Sequence, residues 1–169
     1  MSGGGHDGAR VRLAREEGFR FRVRFGADGV PDLITDEPPP LGAGAGPDPA
    51  ALLAAAVGQC LASSLLFCMR RAHLEASEFA AEVCTTTTRN EAGRLRIGDI
   101  RVHLAPTVTP EVRAKMGRCL ELFESFCIVT ESVRAGVHVT VDVEPRLHGP
   151  GTPRTETAPA GNCALTGEL

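Results

Sequence analysis

The sequence predicts an α+β domain with antiparallel sheets and a long, buried central helix. Segments in which apolar and polar residues alternate, as in half-buried strands, lie on both sides of one long apolar stretch at residues 50–72. Strands and helices are grouped along the chain and do not alternate regularly. This grouping favours antiparallel pairing over a doubly wound parallel sheet.

The composition is that of an ordinary globular domain. The 169 residues are 43% hydrophobic and 23% charged, and a chain of this length can bury a core alone. It contains no Trp or Tyr, which argues against an aromatic stacking platform for nucleic acid. The formal charge is -3 and the arginines form no dense basic run, so no nucleic-acid partner is expected.

The N-terminal segment MSGGGHDGAR has no apolar h-region, and we therefore expect a cytoplasmic protein. In that compartment the six cysteines are expected to be thiols, and any disulfide is expected to be catalytic or redox-sensing. No CxxC pair occurs, and no Cys/His cluster has zinc-finger spacing. Neither a metal nor another cofactor is therefore expected.

The first predicted strand is the segment GFRFRVRF, residues 18–25. Its side chains alternate strictly, with Phe19, Phe21, Val23 and Phe25 on one face and Arg20, Arg22 and Arg24 on the other. GADG predicts a turn and VPDLIT a second strand. The segment DEPPPLGAGAGPDP lacks the GK[ST] of a phosphate-binding P-loop, so we predict a flexible loop before a helix.

The long apolar stretch is predicted to be one helix that begins at Asp48 and Pro49, an N-cap followed by a first-turn proline. Residues 50–69 are long enough to span a membrane, but Gln59, two serines and many alanines dilute their hydropathy. A helix that is apolar on every side is otherwise buried in a core or between two subunits. We expect such burial and no membrane partner.

A hairpin, a second helix and a last strand follow. EFAAEVCTTTTR and RLRIGDIRVHLAP predict two strands, and a change of parity in the second predicts a β-bulge at Gly98 and Asp99. Thr109 and Pro110 open the second helix. Its predicted apolar face comprises Val112, Met116, Cys119, Leu120 and Phe123. VHVTVDV, residues 137–143, alternates as a strand does, and the Pro/Gly/Thr-rich residues 145–169 predict a disordered tail.

Helix geometry limits how the cysteines pair. Cys60 and Cys68 lie about 12 Å apart along one helix axis, whereas bridged cysteines need Cα atoms within about 7 Å. A partner for Cys60 must come from elsewhere, and Cys127, just after a predicted helix, is the candidate. Two unrelated buried thiols are the commoner arrangement, and the residues alone leave it open. Cys119 is interpreted as a small buried hydrophobe, and Cys68 as packing.

Two cysteine-bearing motifs in a fixed order resemble the OsmC/Ohr family of thiol-dependent hydroperoxide reductases. The first is GPDPAALLAAAVGQCLASSL, and the second, FCIVTESVRAGVHVTVDV, places its cysteine 67 positions after that of the first. The resemblance covers residues 18–144 as an OsmC-like domain. It leaves residues 1–17 as a flexible N-terminus and residues 145–169 as the tail.

The resemblance implies an intertwined homodimer whose central helices pack together through small residues such as Ala55, Ala56 and Gly58, with active sites at the interface. It also implies a peroxidase of oxidative stress defence. In this family the first cysteine, here Cys60, is the peroxidatic nucleophile and becomes a sulfenic acid. The second, here Cys127, resolves it as a disulfide that an external dithiol, lipoyl-type or of low molecular weight, reduces.

The family also supplies an arginine from the N-terminal strand region to stabilise the thiolate. Arg20 is the position we assign, with Arg22 in reserve; arginines on a solvated sheet face are the alternative. Ala50 stands where strongly active family members carry Glu, and Ile128 and Thr130 stand where they carry Pro and Ser. The alternative function is therefore a non-enzymatic redox sensor or a binder of small apolar ligands.

Overall fold

The computed structural model describes residues 8–143, which fall into two compact units. The first unit comprises the described residues up to Pro49, together with Val143, and the second comprises residues 50–142. The architecture is α+β with antiparallel sheets and one long helix, as the sequence predicts. Residues 1–7 and the predicted tail at 145–169 lie outside the described residues.

The first unit is built on a three-stranded antiparallel sheet in the order β1-β2-β3. Its strands are β1 (Arg12–Glu17), β2 (Arg20–Arg24) and β3 (Leu33–Thr35). The structure corrects the assignment of 12–17 to a flexible N-terminus. The sequence RLAREE has no strict alternation, so its strand structure depends on pairing with β2 across the turn at Gly18, where φ is 52°.

The loop that follows β3 is organised around a carboxylate. Asp36 is buried and accepts hydrogen bonds from the backbone N–H groups of Glu37, Ala43 and Ala45 at 2.9, 3.0 and 3.1 Å. A Cβ added to Gly42 would lie 2.5 Å from Asp36 Oδ1, so the chain approaches the carboxylate too closely for a side chain. The hydrogen bond from Ala45 lowers the pKa of Asp36, helped by those from Ala43 and Glu37, although burial opposes them.

The predicted long helix, α1 (Pro49–Arg71), belongs to the second unit from Ala50 onward. One face is buried, including Val57, Leu61, Leu65 and Met69. By length and a mean hydropathy of 1.9, α1 is apolar enough to cross a membrane, and 39% of that apolar window is buried within the protein. Gly58, expected at a helix–helix contact, is instead buried against Val83, whose Cγ2 lies 2.5 Å from an added Cβ.

A long antiparallel hairpin follows, formed by β4 (Glu78–Arg89) and β5 (Leu95–Thr107). Both strands and the bulge are confirmed. Thr85 pairs with Ile100 and Thr87 with Ile97, so Thr86 faces two residues of β5. The hydroxyl of Thr86 accepts a hydrogen bond from the N–H of Asp99 at 3.1 Å, which satisfies the donor that the bulge leaves unpaired.

The single second helix predicted from Thr109 onward is wrong. The structure has α2 (Pro110–Lys115), α3 (Gly117–Leu122) and a 3₁₀ turn (Phe123–Phe126). Glycine in a helix interior costs about 1 kcal/mol relative to alanine, so Gly117 disfavours an unbroken helix. Met116, the residue at the break, is buried, and this burial holds the break in place. Leu120, expected on the apolar face, is 52% exposed.

The last helix, α4 (Ile128–Ala135), directly follows Cys127. The predicted strand at 137–143 is wrong for the described chain, because these residues carry no strand structure and their valines are exposed. A strand is stable only when a neighbour satisfies its backbone hydrogen bonds, and no strand among the described residues pairs with this segment. Alternation alone therefore does not produce a strand here.

Two apolar clusters form the core of the second unit. One comprises Leu65, Met69, Leu74, Met116 and Cys119. The other comprises Val57, Leu61 and Cys127, with Cys60 packed against it. Both depend on α1, which contributes to one cluster near its middle and to the other near its C-terminal end. Each cluster contains a buried cysteine on the short helices or next to them.

Candidate functional site

The structure brings together the two cysteines singled out by the sequence. Cys60 lies on α1 and is half-buried, whereas Cys127 occupies the N-cap of α4 and is fully buried. A hydrogen bond links the two thiols. The break in helical structure between the 3₁₀ turn and α4 gives Cys127 an extended backbone, which places its side chain in the cluster formed by α1.

The electrostatics of the pair are asymmetric. Burial raises the pKa of Cys60, and its contact with Cys127 raises it further. Burial also acts to raise the pKa of Cys127, but hydrogen bonds from Cys60, Thr130 and Ser64 outweigh burial and lower it. Within the second unit, therefore, Cys127 ionises more readily than Cys60.

Thr130 is the main polar neighbour of Cys127. It is buried in the first turn of α4, and its Oγ1 lies 3.0 Å from Cys127 Sγ, from which it accepts a hydrogen bond when the thiol is protonated. When Cys127 is a thiolate, the same hydroxyl turns to donate. The hydroxyl at the position where the family carries Ser is therefore retained and lies in contact with sulfur.

An apolar cavity of about 670 Å³ lies within the second unit. Its wall includes Val57, Leu61 and Thr130, the residues that also surround Cys127, together with Val102 and Phe123. Because the wall is largely aliphatic and aromatic, the cavity suits an apolar ligand and not a highly charged one.

The two candidate arginines differ in their partners within the first unit. Arg22 forms ion pairs with Glu16 at 2.5 Å and with Asp32 at 3.6 Å. The Nε of Arg20 is buried and has no hydrogen-bond partner among residues 8–143. The assignment of Arg20 to a thiolate stays a prediction. The first turn of α1 contains no acidic residue, as Ala50 implies.

The structure contains a second cysteine contact that the sequence does not predict. Cys68 on α1 donates a hydrogen bond to Cys119 on α3, with 2.7 Å between the sulfurs. The sequence predicts both only as packing residues. The signal that pointed to the contact is the spacing: Cys60 and Cys68 are eight residues apart, as are Cys119 and Cys127. Cys84 is exposed on β4, and Cys163 lies outside the described residues.

Across the described residues, no group of three or more His, Cys, Asp or Glu side chains converges as a metal site would require. The chemistry that the site's own side chains offer is that of paired thiols. One thiol can act as a nucleophile and the other can close a disulfide with it.

Comparison with known proteins places this arrangement in a family. The family model for OsmC-like proteins matches residues 42–142, well over half of the chain, and this region contains both Cys60 and Cys127. No curated protein matches the chain.

Several solved structures share the fold. An OsmC-like protein of unknown function from Vibrio cholerae has a TM-score of 0.62 at 14% identity, covering 75% of this chain and 94% of its own. The organic hydroperoxide resistance protein OhrB of Bacillus subtilis has a TM-score of 0.56 at 21% identity, covering 76% and 91%. An organic hydroperoxide resistance protein OsmC from Legionella pneumophila has a TM-score of 0.58 at 17% identity, covering 76% and 90%. The family match and these folds agree: the chain belongs to the OsmC/Ohr family.

Proposed function

We propose that this protein is a cytoplasmic thiol-dependent peroxidase that reduces organic hydroperoxides in defence against oxidative stress. The observation that carries the proposal is the hydrogen-bonded pair Cys60 and Cys127. An apolar cavity whose wall includes Thr130 lies next to this pair and suits the organic part of such a substrate. Two of the three solved structures described above are named organic hydroperoxide resistance proteins.

The reaction begins when Cys60 loses its proton to water. The Cys60 thiolate then attacks the terminal oxygen of the hydroperoxide. The O–O bond breaks and the organic oxygen leaves as an alcohol after protonation, while Cys60 becomes a sulfenic acid. Cys127 then attacks this sulfur, water leaves and a disulfide forms. An external dithiol, lipoyl-type or of low molecular weight, reduces the disulfide.

The raised pKa of Cys60 means that its thiolate needs stabilisation while it attacks. We assign that task to Arg20 and not to Arg22, because Arg22 is committed to Glu16 and Asp32. Replacing Arg20 with Gln should lower kcat/KM for a hydroperoxide by about tenfold or more. Arg22→Gln is the matched control on the same strand, and an equal loss in both variants contradicts the assignment.

The decisive test follows cumene hydroperoxide consumption with dihydrolipoamide as reductant. The protein with Cys68 and Cys119 changed to serine should turn over, adding Cys60→Ser should abolish that activity, and adding Cys127→Ser instead should stop it after one equivalent of peroxide per Cys60. Cys84→Ser, on the exposed face of the hairpin, should keep full activity. Equal turnover with and without Cys60→Ser in the protein that lacks Cys68 and Cys119 contradicts the proposal.

We further propose that the protein functions as a homodimer. Val137, Val139 and Val141 are 63%, 74% and 74% exposed, and their alternation is that of a strand without a partner. On α1, Leu66 and its apolar neighbour Phe67 are 42% and 53% exposed. Pairing these surfaces with a second copy would remove both from water.

The alternative function is a redox sensor or a binder of small apolar ligands. It is favoured by Ala50, which leaves the first turn of α1 without a carboxylate, and by the raised pKa of Cys60. In that case one equivalent of peroxide forms the Cys60–Cys127 bridge, but dihydrolipoamide does not sustain turnover. Mass spectrometry of the oxidised protein beside the turnover assay separates the two functions.

A further inference from the structure

We propose that Cys68 and Cys119 form a second oxidisable dithiol, in a pocket that accepts an anionic hydroperoxide with an apolar chain. This site is separate from Cys60 and Cys127 and has its own cavity. Because the proposal concerns different sulfurs, it does not rest on the proposed function.

The two thiols are held in direct contact. Their sulfurs are 2.7 Å apart, close to the length of about 2.05 Å of a disulfide, so no large movement of sulfur is needed to close one. Cys119 is buried in the cluster with Leu65, Met69 and Met116, and Cys68 packs against that cluster. The packing of α1 against α3 therefore keeps the thiols together without a bond.

The pocket beside them has a volume of about 510 Å³ and combines cationic and apolar groups. Arg71, Lys115 and Arg118 line it, and no acidic residue does. Apolar walls come from Phe67 and Phe126, and the Arg71 guanidinium lies 5.9 Å from the centroid of the Phe67 ring. A carboxylate matches the cations and an aliphatic chain matches the rings, which defines the ligand class as hydroperoxides of apolar carboxylic acids.

The hydroperoxide is the only oxidant that this reaction requires. Cys68 is the more exposed sulfur, and its thiolate attacks the terminal oxygen of the hydroperoxide. The O–O bond breaks, the alkoxide leaves as an alcohol after protonation, and Cys68 becomes a sulfenic acid. Cys119 attacks this sulfur, and its proton leaves with the hydroxide as water. Two thiols are oxidised to one disulfide, and one hydroperoxide is reduced to one alcohol.

Burial supports this division of roles. It raises the pKa of Cys119 to about 11, so Cys119 is a thiol at neutral pH and is a poor first nucleophile. As the second, resolving sulfur, it needs only to attack a sulfenic acid at contact distance.

The test uses a variant in which Cys60, Cys127, Cys84 and Cys163 are all serine, which leaves Cys68 and Cys119. Trypsin releases Cys68 in the peptide 25–70 and Cys119 in the peptide 119–134. After treatment with linoleic acid hydroperoxide, mass spectrometry should find these peptides joined, with the loss of two hydrogens. Adding Cys119→Ser should abolish the joined species. Free thiols at both positions after treatment overturn the proposal.

A second measurement covers the case in which the four-serine variant does not fold. In the single variant Cys60→Ser, digestion with trypsin and a Glu-specific protease cuts at Glu121 and Glu124, which separates Cys119 from Cys127. Peptide 25–70 then carries Cys68 as its one cysteine, because Cys60 is serine. Peroxide should join the Cys119 fragment to the peptide that carries Cys68. Joining of the Cys127 fragment alone contradicts the proposal.

The ligand class is tested separately by removing the positive charges that line the pocket. Lys115→Gln with Arg118→Gln should slow bridge formation by linoleic acid hydroperoxide about fivefold or more, while bridging by the neutral cumene hydroperoxide keeps its rate. Arg94→Gln, in the hairpin turn, is the control and should change neither rate. Equal slowing with both peroxides, or no slowing, overturns the assignment of an anionic substrate.

Discussion

Individual side chains around Cys60 and Cys127 decide which of the two thiols ionises more readily. Thr130 lowers the pKa of Cys127 through its hydroxyl and its backbone N–H, while Cys60 keeps a raised pKa in the same cluster. In the proposed mechanism, the sulfur with the lower pKa is therefore the resolving cysteine and not the peroxidatic one. The lowered pKa favours Cys127 as the thiolate that attacks the Cys60 sulfenic acid in the proposed reaction.

Thr130→Val tests this arrangement, because valine has the shape of threonine without the hydroxyl. The pKa of Cys127 should rise, since the thiolate loses a donor. The rate of Cys127 alkylation by iodoacetamide in Cys60→Ser, followed against pH, should shift to higher pH. Thr130→Ser retains the hydroxyl and should leave the profile in place; a shift in Ser equal to that in Val contradicts the role of the hydroxyl.

The folding stability of the first unit depends on pH through the ionisation of Asp36. Its pKa in the folded protein is lowered, mainly by the hydrogen bond from Ala45, so ionised Asp36 favours the folded state. This contribution is complete above about pH 4 and is lost as the pH falls through the lowered folded pKa.

Asp36→Asn should lower the urea midpoint at pH 7 and flatten its decline below about pH 4. Urea unfolding from pH 7 to pH 2.5 measures both. Asp28→Asn, in the exposed turn between β2 and β3, should leave the midpoint at pH 7 unchanged. A steep acid decline in Asp36→Asn, like that of the wild type, is inconsistent with this role.

The site was only partly predictable at this scale. Cys60 and Cys127 were reached from helix geometry and the family motifs, and the structure places them in contact. The contact of Cys68 with Cys119 was not foreseen, because it depends on the angle at which α3 packs on α1. Local periodicity identifies an apolar face but does not say which residues meet across it.

At the scale of elements, the close approach of α1 to the hairpin depends on Gly58. Gly58→Ala adds a Cβ about 2.5 Å from Val83 Cγ2, and the β-branched valine has little freedom to move away. Overpacking costs about 1 to 3 kcal/mol, more than the roughly 1 kcal/mol that alanine adds to helix stability.

The effect of Gly58→Ala on stability should have opposite signs in the wild type and in Val83→Ala. Gly58→Ala should destabilise the wild type and should stabilise Val83→Ala by up to about 1 kcal/mol, because the clash is gone and only the helix propensity remains. Urea unfolding of the four proteins gives the double-mutant cycle. The same cost in both backgrounds shows that Val83 is not the obstacle.

Elements with a strong local pattern were predictable, and those that depend on a partner were not. The extents of β4 and β5 and the start of α1 follow from alternation, the bulge and Pro49. The break at Met116 and Gly117 was missed because an apolar face continues across it. The strand predicted at 137–143 needs an adjacent strand, which the described chain does not provide.

At the scale of the whole molecule, the unpaired segment 137–143 bears on the oligomeric state. Val139→Lys with Val141→Lys should convert a dimer to a monomer in sedimentation velocity, because two charges would enter the proposed interface. Thr140→Lys with Asp142→Lys, at the alternate positions, is the matched control and should remain dimeric. Monomers in all three proteins, including the wild type, contradict the proposed dimer.

The mirrored spacing of the four cysteines has a consequence for how oxidation proceeds. The two proposed bridges would join the same two nine-residue arms, 60–68 and 119–127, at opposite ends: Cys60 with Cys127, and Cys68 with Cys119. Once one bridge has closed the long loop between the arms, closing the other requires ordering of only a small ring. The effective concentration of the second pair of thiols is then raised even in an unfolded chain, so the first oxidation makes the second harder to reverse.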